Sequence, residues 1–156
     1  MKTNAIRILE SKNIPHKTIE YEFNENEIDA VSVANKLGQN PETVFKTLVA
    51  RNDKNVFFVF VIPGNFELNL KKAAAVSQSK KIEMIKVKEL QPLTGYMRGG
   101  CSPIGMKKLF PTFIDETSIL FDEICVSAGI RGMQVQLSPN DLSTAVDARF
   151  ADLIQK

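Results

Sequence analysis

A chain of 156 residues has the length of one ordinary domain and can bury a core without a metal ion or a disulfide framework. Its 44% hydrophobic and 24% charged residues are near the average for globular proteins, which excludes a disordered or fibrous chain. The net charge of +2, from 20 basic and 18 acidic residues, disfavours a bulk nucleic-acid binder but allows a local basic patch. We expect one domain that spans residues 1–156.

The cysteines and the hydropathy pattern favour the cytoplasm. Cys101 and Cys125 are too few for a disulfide framework, and the single histidine, His16, leaves no spacing typical of zinc ligands. No apolar run approaches the roughly 18 residues of a membrane span, and the first residues lack the apolar core of a secretion signal. We therefore expect a cytoplasmic protein without a metal, a cofactor, a membrane anchor or a DNA partner.

The N-terminal third predicts two helices separated by a strand. Thr3 is a candidate cap for a helix from about Lys2 to Lys12. In "TIEYEF", residues 18–23, apolar and acidic side chains alternate, which predicts a half-exposed strand with Tyr21 on its inner face. The segment "DAVSVANKLG", residues 29–38, starts with a capping aspartate and ends with a glycine, as a short helix does.

Two apolar runs in the middle of the chain predict a β-hairpin. "FKTLVAR" and "VFFVFVIP" flank the polar turn "NDKN". The second run is apolar on both faces, so we expect a central, buried strand. The neighbouring segments predict an additional helical turn at 41–45, a helix in 68–77, a strand at 82–85, and a short helix in 87–93 that Pro92 breaks.

Three short strands and a helix complete the chain. The strands are predicted for "PTFID", "EICVSA" and "MQVQL". The helix is predicted for "SPNDLSTAV", in which Ser138 is the cap and Pro139 takes the first helical position. Strands and helices are mixed without strict alternation, which favours a mixed α/β or barrel-like single domain over a doubly wound sheet.

The segment "TGYMRGGCSPIGMKK", residues 94–108, holds four glycines and three basic side chains. It fits no phosphate-loop template, which disfavours a nucleotide-hydrolysing enzyme. Main-chain amides at Gly99 and Gly100, followed by a rigid proline, suit a carboxylate, a phosphate or the oxyanion of acyl transfer. A tight surface loop explains the same glycines, so the residues alone leave both interpretations open.

Other candidate residues are also ambiguous by themselves. Lys46 lies in a strand in which neither face is plainly polar, so it is either an edge residue with a solvated ammonium group or a site residue. Cys101 has no histidine near it in the sequence, which disfavours a cysteine nucleophile. The small residues within 127–137 either line a pocket or form a hairpin turn.

Five blocks of the sequence together resemble a known family. They are, in chain order, "FKTLV", "LNLKKAA", "GYMRGGCSPIGMKK", "VSAGIRG" and "DLSTAVDARFADL". In this order and at these spacings they resemble the YbaK family of free-standing trans-editing aminoacyl-tRNA deacylases. That family includes EbsC-type members and is related to the editing domain inserted in prolyl-tRNA synthetases. The resemblance covers nearly the whole chain.

The resemblance implies a fold and a site. The fold is a mixed α/β single domain in which helices surround a six- to seven-stranded barrel-like sheet. Lys46 matches the essential charged residue of the family, which orients the substrate rather than attacking it. Gly99–Pro103 matches the Gly-x-x-x-Pro element, a wall for the substrate and the oxyanion. The implied substrate-binding residues are Tyr21, Gly99, Gly100, Cys101, Ser102, Pro103, Ser127 and Gln134.

The activity implied by the resemblance is removal of cysteine from proline tRNA. The acceptor end of misacylated tRNA is the expected substrate, and prolyl-tRNA synthetase is a candidate partner. In the cysteine branch of the family, the thiol of the bound cysteine attacks the carbonyl group of its own ester. The cysteine is then released from the tRNA as a cyclic thiolactone. Gln134 stands where close relatives often carry a short acidic or hydroxyl side chain, which leaves the fine specificity open.

Two other functions remain as alternatives, a deacylase for alanine and a non-catalytic module that binds tRNA or a synthetase. Transfer-RNA contacts are not marked in the sequence, because lysines on a solvated face are common. The lysines that could contact phosphates are Lys71, Lys72, Lys80, Lys81, Lys107 and Lys108.

Overall fold

The computed structural model describes residues 2–156 and contains, within them, five α-helices and eight β-strands. The helices are α1 (Asn4–Ser11), α2 (Ala30–Leu37), α3 (Leu70–Val76), α4 (Val87–Thr94) and α5 (Pro139–Val146). The strands are β1 (Lys17–Glu20), β2 (Phe45–Asn52), β3 (Phe57–Pro63), β4 (Ile82–Met84), β5 (Thr112–Asp115), β6 (Ile124–Ser127), β7 (Met133–Leu137) and β8 (Arg149–Ala151). Two 3-10 turns span Pro41–Thr43 and Glu116–Leu120. No helix in this part of the chain is long and apolar enough to cross a bilayer.

The strands form two sheets. The smaller sheet has the order β1-β7-β6 and is antiparallel. The larger sheet has the order β4-β2-β3-β5-β8, with antiparallel pairs around β2 and parallel pairs on both sides of β5. A parallel bridge between Val44 and Cys125 links the two sheets. The mixed α/β class is confirmed, but the expected sheet of six to seven strands is instead eight strands in two sheets, which close no barrel within residues 2–156.

Both faces of the larger sheet are covered, which explains why β3 is apolar throughout. One face shares the main core with the smaller sheet, α1 and α5. On the opposite face, Phe58, Phe60 and Ile62 pack with residues of α3 and with Leu153 near the C-terminus. Since β3 lies in the middle of the sheet and Phe60 and Ile62 are fully buried, the prediction of a central, buried strand is confirmed.

Most helix ends lie where the capping residues predict them. Thr3 and Asp29 cap α1 and α2 by accepting hydrogen bonds from main-chain amides of the first turn. Gly38 ends α2 with a φ of +67°, in the left-handed region. Helix α5 begins at Pro139, directly after the capping Ser138. These three helices and the β2–β3 hairpin are therefore confirmed.

The predicted strand at 18–23 is too long. It ends at Glu20, because Glu20 pairs with Met133, where the antiparallel partner strand β7 begins, and no further residue of β7 is left to pair. Beyond this point the Tyr21 N–H donates one more hydrogen bond, to the Gly132 carbonyl at 2.9 Å. Tyr21 therefore lies just outside the sheet instead of on its inner face.

Two further features differ from the sequence pattern. Pro92 does not break α4, which continues to Thr94. Because proline has no N–H group, the helix lacks one main-chain hydrogen bond at this position, and it ends only two residues later. Gly95 then closes the helix, with its N–H donating to the Gln91 carbonyl at 2.8 Å. Strand β8 is not predicted at all, since three residues are too few to show a period and its partner β5 is distant in sequence.

Candidate active site

A cavity of about 530 Å³ opens where the two sheets meet, beside the first half of β2. It is bounded by the segment before α2, the start of α2, β2, the glycine-rich loop and the adjoining ends of β6 and β7. The residues that line it are Glu25, Asn26, Ile28, Asp29, Ala30, Val33, Val44, Phe45, Lys46, Thr47, Leu48, Gly64, Arg98, Gly99, Cys101, Ser127 and Gln134.

The cavity forms because, within residues 2–156, the first half of β2 has no neighbouring strand on one side. Strand β4 pairs with β2 only at 50–52, and the bridge to the smaller sheet lies at Val44. Between these two points, the strand edge from Phe45 to Leu48 faces the cavity. An unpaired edge presents main-chain donors and acceptors together with side chains, which suits a binding site.

A close backbone contact fixes the position of α2, which forms one wall of the cavity. The N–H of Gly64, which follows β3, donates to the Val44 carbonyl at 2.8 Å. A Cβ atom at Gly64 would lie 2.4 Å from the Ala30 Cβ and 2.8 Å from the Val44 oxygen, so a glycine is needed for this approach. The contact holds the beginning of α2, and with it Asp29, against the cavity.

Lys46 is the one lysine among the residues that line the cavity. Its Nζ lies 3.9 Å from Oε1 of Glu67, whose side chain is 83% exposed, whereas the Lys46 side chain is 26% exposed. An ion pair this long and this open to water contributes little. The ammonium group therefore remains available to an anionic or polar substrate group, and its role in catalysis stays a prediction.

Asp29 contributes a carboxylate to the cavity as well as a helix cap. The Ser32 hydroxyl donates to Oδ1 at 2.7 Å and the Ser32 N–H to Oδ2 at 3.1 Å. The hydroxyl bond above all, with smaller help from the amide bond and the charge of Lys46, holds the pKa of Asp29 below its usual value. The cavity thus combines two cationic side chains and two carboxylates: Lys46, Arg98, Glu25 and Asp29.

The glycine-rich loop meets the cavity at Arg98, Gly99 and Cys101. Gly99 has a φ of +85°, and a Cβ there would lie 2.8 Å from the Ile28 Cβ. The N–H groups of Gly99 and Cys101 have no acceptor elsewhere in the described part of the chain. Gly100 differs, because its N–H donates to the Met97 carbonyl at 2.9 Å and it does not line the cavity. The candidates for main-chain donors to a ligand are therefore Gly99 and Cys101 rather than two adjacent glycines.

Ser102 and Pro103 support the loop from within. Both are buried, and neither lines the cavity. Ser102 Oγ accepts a hydrogen bond from the Ile104 N–H at 3.1 Å, and the Tyr96 hydroxyl donates to the Ile104 carbonyl. The hydrogen bonds of Ser102 and Tyr96 to Ile104 thus hold the shape of the loop. The structure does not bring Ser102 and Pro103, two predicted substrate-binding residues, to the cavity.

The Cys101 thiol is buried and stays protonated at neutral pH. Its removal from water raises its pKa to about 12. Because the thiolate is the nucleophilic form of cysteine, a thiol with such a pKa is a poor nucleophile. This agrees with the expectation that Cys101 lies in the wall of the site without attacking the substrate.

The raised pKa of Cys101 should make the protein less stable in alkali. In the unfolded chain the thiol ionises near its ordinary pKa of 9.0, whereas in the folded protein it stays neutral up to about 12. Unfolding therefore releases a proton in this interval, so the free energy of unfolding should decrease as the pH rises from 9 to 12. Urea midpoints should fall less steeply for Cys101→Ala than for the wild type, and parallel curves would contradict this origin.

Ser127 and Gln134 are opposite each other in the β6–β7 pair, and both line the cavity. Gln134 is buried, and its Oε1 has no hydrogen-bond partner within residues 2–156. Ser127 Oγ accepts from the Gly129 N–H at 3.1 Å. The segment 128–132 between the strands is a hairpin turn that does not line the cavity, whereas Ser127, the last residue of β6, does.

Tyr21 is not among the residues that line the cavity with Lys46. It lies in a second, open cavity of about 580 Å³, together with Phe23 and Lys36, and packs against the apolar cluster that contains Val33. That cluster also contains Val44, and both Val33 and Val44 line the first cavity. Tyr21 therefore borders the wall of the first cavity without lining it, and its role in the site stays a prediction.

Several residues that line the cavity were not predicted from the sequence. Thr47 and Arg98 adjoin predicted site residues, and this proximity could have indicated them. Glu25 and Asn26 lie in a polar segment without a motif, and Gly64 looks like an ordinary glycine after a strand. Within residues 2–156, no group of three or more His, Cys, Asp or Glu side chains is placed to hold a metal ion.

Comparison with known families identifies the class of this protein. A family model of the aminoacyl-tRNA editing domain matches residues 25–145, a span that contains every residue lining the cavity. The chain belongs to the aminoacyl-tRNA editing domain family.

One curated relative indicates a narrower group within this family. Over 155 residues the chain is 47% identical to EbsC of Enterococcus faecalis, described as a proposed Cys-tRNA(Pro)/Cys-tRNA(Cys) deacylase, and the match covers 99% of this chain and 94% of EbsC. The resemblance to the YbaK/EbsC proteins is thereby confirmed.

Two solved structures share the fold. A proposed trans-editing enzyme for prolyl-tRNA synthetase has a TM-score of 0.86 at 24% identity, covering 100% of this chain and 99% of that one. A hypothetical protein has a TM-score of 0.90 at 19% identity, covering 98% of this chain and 100% of its own. At these identities the two structures support the fold alone.

Proposed function

We propose that this protein is a trans-editing aminoacyl-tRNA deacylase that removes cysteine from misacylated proline tRNA, Cys-tRNA(Pro). The observation that carries the proposal is the cavity that joins Lys46 to the unpaired N–H groups of Gly99 and Cys101. Membership of the editing family and the 47% identity to EbsC support the same substrate class.

The reaction breaks the ester between the cysteine carboxyl group and the terminal ribose. Attack on the ester carbonyl carbon places negative charge on the carbonyl oxygen, which preorganised N–H donors stabilise. The amides of Gly99 and Cys101 supply such donors on the cavity wall. Lys46 supplies the cation that holds the terminal ribose or phosphate in place, as a positioning charge and not as a nucleophile.

The thiol of the substrate supplies the nucleophile in this proposal. Its sulfur bonds to the carbonyl carbon, the bond from that carbon to the ribose oxygen breaks, and the thiol proton ends on the ribose hydroxyl. The products are a cyclic thiolactone and uncharged tRNA. The buried, protonated Cys101 is consistent with a reaction that needs no nucleophile from the protein.

We infer that the acceptor end of misacylated tRNA binds at this cavity in the cytoplasm, and that prolyl-tRNA synthetase is a candidate docking partner. The editing-family match supports a tRNA substrate. Among the lysines that could contact phosphates, Lys72 already bonds to the Asp152 carboxylate at 3.0 Å and to the Ile154 carbonyl at 2.9 Å. The exposed lysines of that set are the better candidates.

The substrate assignment is tested with two misacylated tRNAs. Purified protein should release cysteine from Cys-tRNA(Pro), with a thiolactone detected by mass spectrometry, and should leave Ala-tRNA(Pro) largely intact because alanine has no thiol. Equal release of both amino acids would favour an alanine-type deacylase that activates water. Binding of both tRNAs without release would favour a non-catalytic module.

A further inference from the structure

The main-chain amide of Gly99, a candidate donor to the ester, belongs to a β-turn at 97–100. The Gly100 N–H donates to the Met97 carbonyl at 2.9 Å and closes this turn. Gly99, the third residue of the turn, has a φ of +85°, whereas the φ of Arg98, the second residue, is negative. A turn in which only the third residue is left-handed is of type II.

The direction of the Gly99 N–H depends on which type of turn the loop adopts. Type I and type II turns differ in the orientation of their central peptide, which here joins Arg98 to Gly99. Rotation of this peptide by roughly half a turn converts one type into the other and exchanges the directions of its carbonyl and its N–H. Because glycine adopts either sign of φ, the chain itself does not prevent this rotation. A contact outside the turn is therefore needed to fix the donor.

Arg131, in the turn between β6 and β7, makes such a contact. Its Nε donates a hydrogen bond to the Arg98 carbonyl at 2.9 Å. A Cβ atom at Gly99 would lie 3.1 Å from the same nitrogen, so the guanidinium group lies directly against the 98–99 peptide. Since this peptide is planar and trans, its N–H points away from its carbonyl and therefore away from Arg131. Gly99 lines the cavity and Arg131 does not.

Other contacts fix the loop on both sides of this peptide. A Cβ atom at Gly100 would lie 3.0 Å from the main-chain nitrogen of Arg131, so Gly100 packs directly on the β6–β7 turn. On the other side, the buried Tyr96 donates its hydroxyl hydrogen to the Ile104 carbonyl. Within residues 2–156, the 98–99 peptide is thus held by one side-chain hydrogen bond, between parts of the loop that are packed in place.

We propose that Arg131 is a positioning residue, which holds the 98–99 peptide in its type II orientation and thereby directs the Gly99 N–H toward the carbonyl oxygen of the scissile ester. The inference rests on the proposed deacylase function. In the rotated peptide the Arg98 carbonyl would take the place of the N–H, and its partial negative charge would oppose the charge that develops on the ester oxygen. The hydrogen bond from Arg131 also polarises the peptide, which makes its N–H a stronger donor.

Two substitutions of Arg131 separate its hydrogen bond from its charge. In Arg131→Gln, Nε2 is as many bonds from Cα as the arginine Nε, so a neutral side chain keeps the donor. Arg131→Met has a similar length but neither donor nor charge. At saturating Cys-tRNA(Pro), kcat should fall about 10- to 100-fold in Arg131→Met but less than about threefold in Arg131→Gln, because only the methionine variant releases the oxyanion donor. Any lost attraction to tRNA phosphates should raise KM equally in both variants.

Arg149→Met is the matched control for loss of an arginine. Arg149 is exposed on β8, at the edge of the larger sheet opposite β4, and does not line the cavity. This variant should keep the kcat of the wild type, and thermal melting should show that all three variants are folded. Equal kcat values in Arg131→Met and Arg131→Gln, or a wild-type kcat in Arg131→Met, would overturn the role of Arg131.

A measurement without substrate distinguishes failure of this role from failure of the deacylase function. NMR should detect a scalar coupling across the hydrogen bond between Arg131 Nε and the Arg98 carbonyl carbon in the wild type. If the coupling is present but the wild type cleaves no Cys-tRNA(Pro), the deacylase function is wrong and the contact that holds the turn stands. If the wild type cleaves Cys-tRNA(Pro) and the coupling is absent, the role of Arg131 is wrong and the deacylase function stands.

Discussion

Replacing Lys46 with alanine should lower kcat/KM for Cys-tRNA(Pro) by about 100- to 1,000-fold, the loss expected when one charged group is removed from a preorganised site. Lys46 is the one lysine on the cavity, and its ion pair with Glu67 is long and exposed. The substitution should therefore remove the proposed substrate contact while costing little stability. Lys46→Arg should retain part of the activity, since it keeps the charge but changes its geometry.

Lys54→Ala is the matched control for this charge change. Lys54 is exposed in the turn between β2 and β3, at the far end of the hairpin from Lys46. Deacylation rates and urea midpoints should be measured for both variants, and Lys54→Ala should match the wild type in both. Wild-type activity in Lys46→Ala would remove its assigned role, and an equal loss in both variants would indicate a general charge effect.

Gly99→Ala should lower kcat/KM for Cys-tRNA(Pro) by about 10- to 100-fold, because small displacements of a positioning group are costly in catalysis. The new Cβ would lie 2.8 Å from the Ile28 Cβ and 3.1 Å from the Arg131 Nε, so the loop or Ile28 must move. Both Gly99 and Ile28 line the cavity. The φ of +85° adds a backbone strain of about 1–2 kcal/mol to the folded state.

Gly38→Ala separates the two effects. Gly38 has a similar φ, +67°, but a Cβ there would meet no atom within 4 Å. Both variants should show a lower free energy of unfolding in urea titrations, whereas only Gly99→Ala should lose activity. Comparable activity losses in the two variants would mean that reduced stability, and not displacement of the cavity wall, explains the effect.

Local patterns predicted most of the secondary structure because their causes lie within a few residues. A side chain that caps a helix, such as Thr3, Asp29 or Ser138, acts on amides of the following turn. The end of β1 and the existence of β8 depend instead on where a distant partner strand begins. No period within the segment carries that information.

The same distinction applies to the site. Lys46, Gly99, Cys101, Ser127 and Gln134, proposed from the resemblance, all line one cavity. The neighbouring Gly100, Ser102 and Pro103 belong to the same sequence motif but support the loop from behind. A motif shows which segment is involved, whereas the path of the backbone decides which of its residues reach the ligand.

By itself the sequence determined the mixed α/β class, the editing family and the two segments, around Lys46 and Gly99, that meet at the site. Only the tertiary structure decided that Tyr21 borders the cavity without lining it, that Asp29 and Arg98 join the cavity, and that Thr47 and Gln134 leave polar atoms unpaired. The reason is that the cavity depends on an unpaired strand edge and on the close approach of α2 to Gly64. Both arise from contacts between residues that are far apart in the chain.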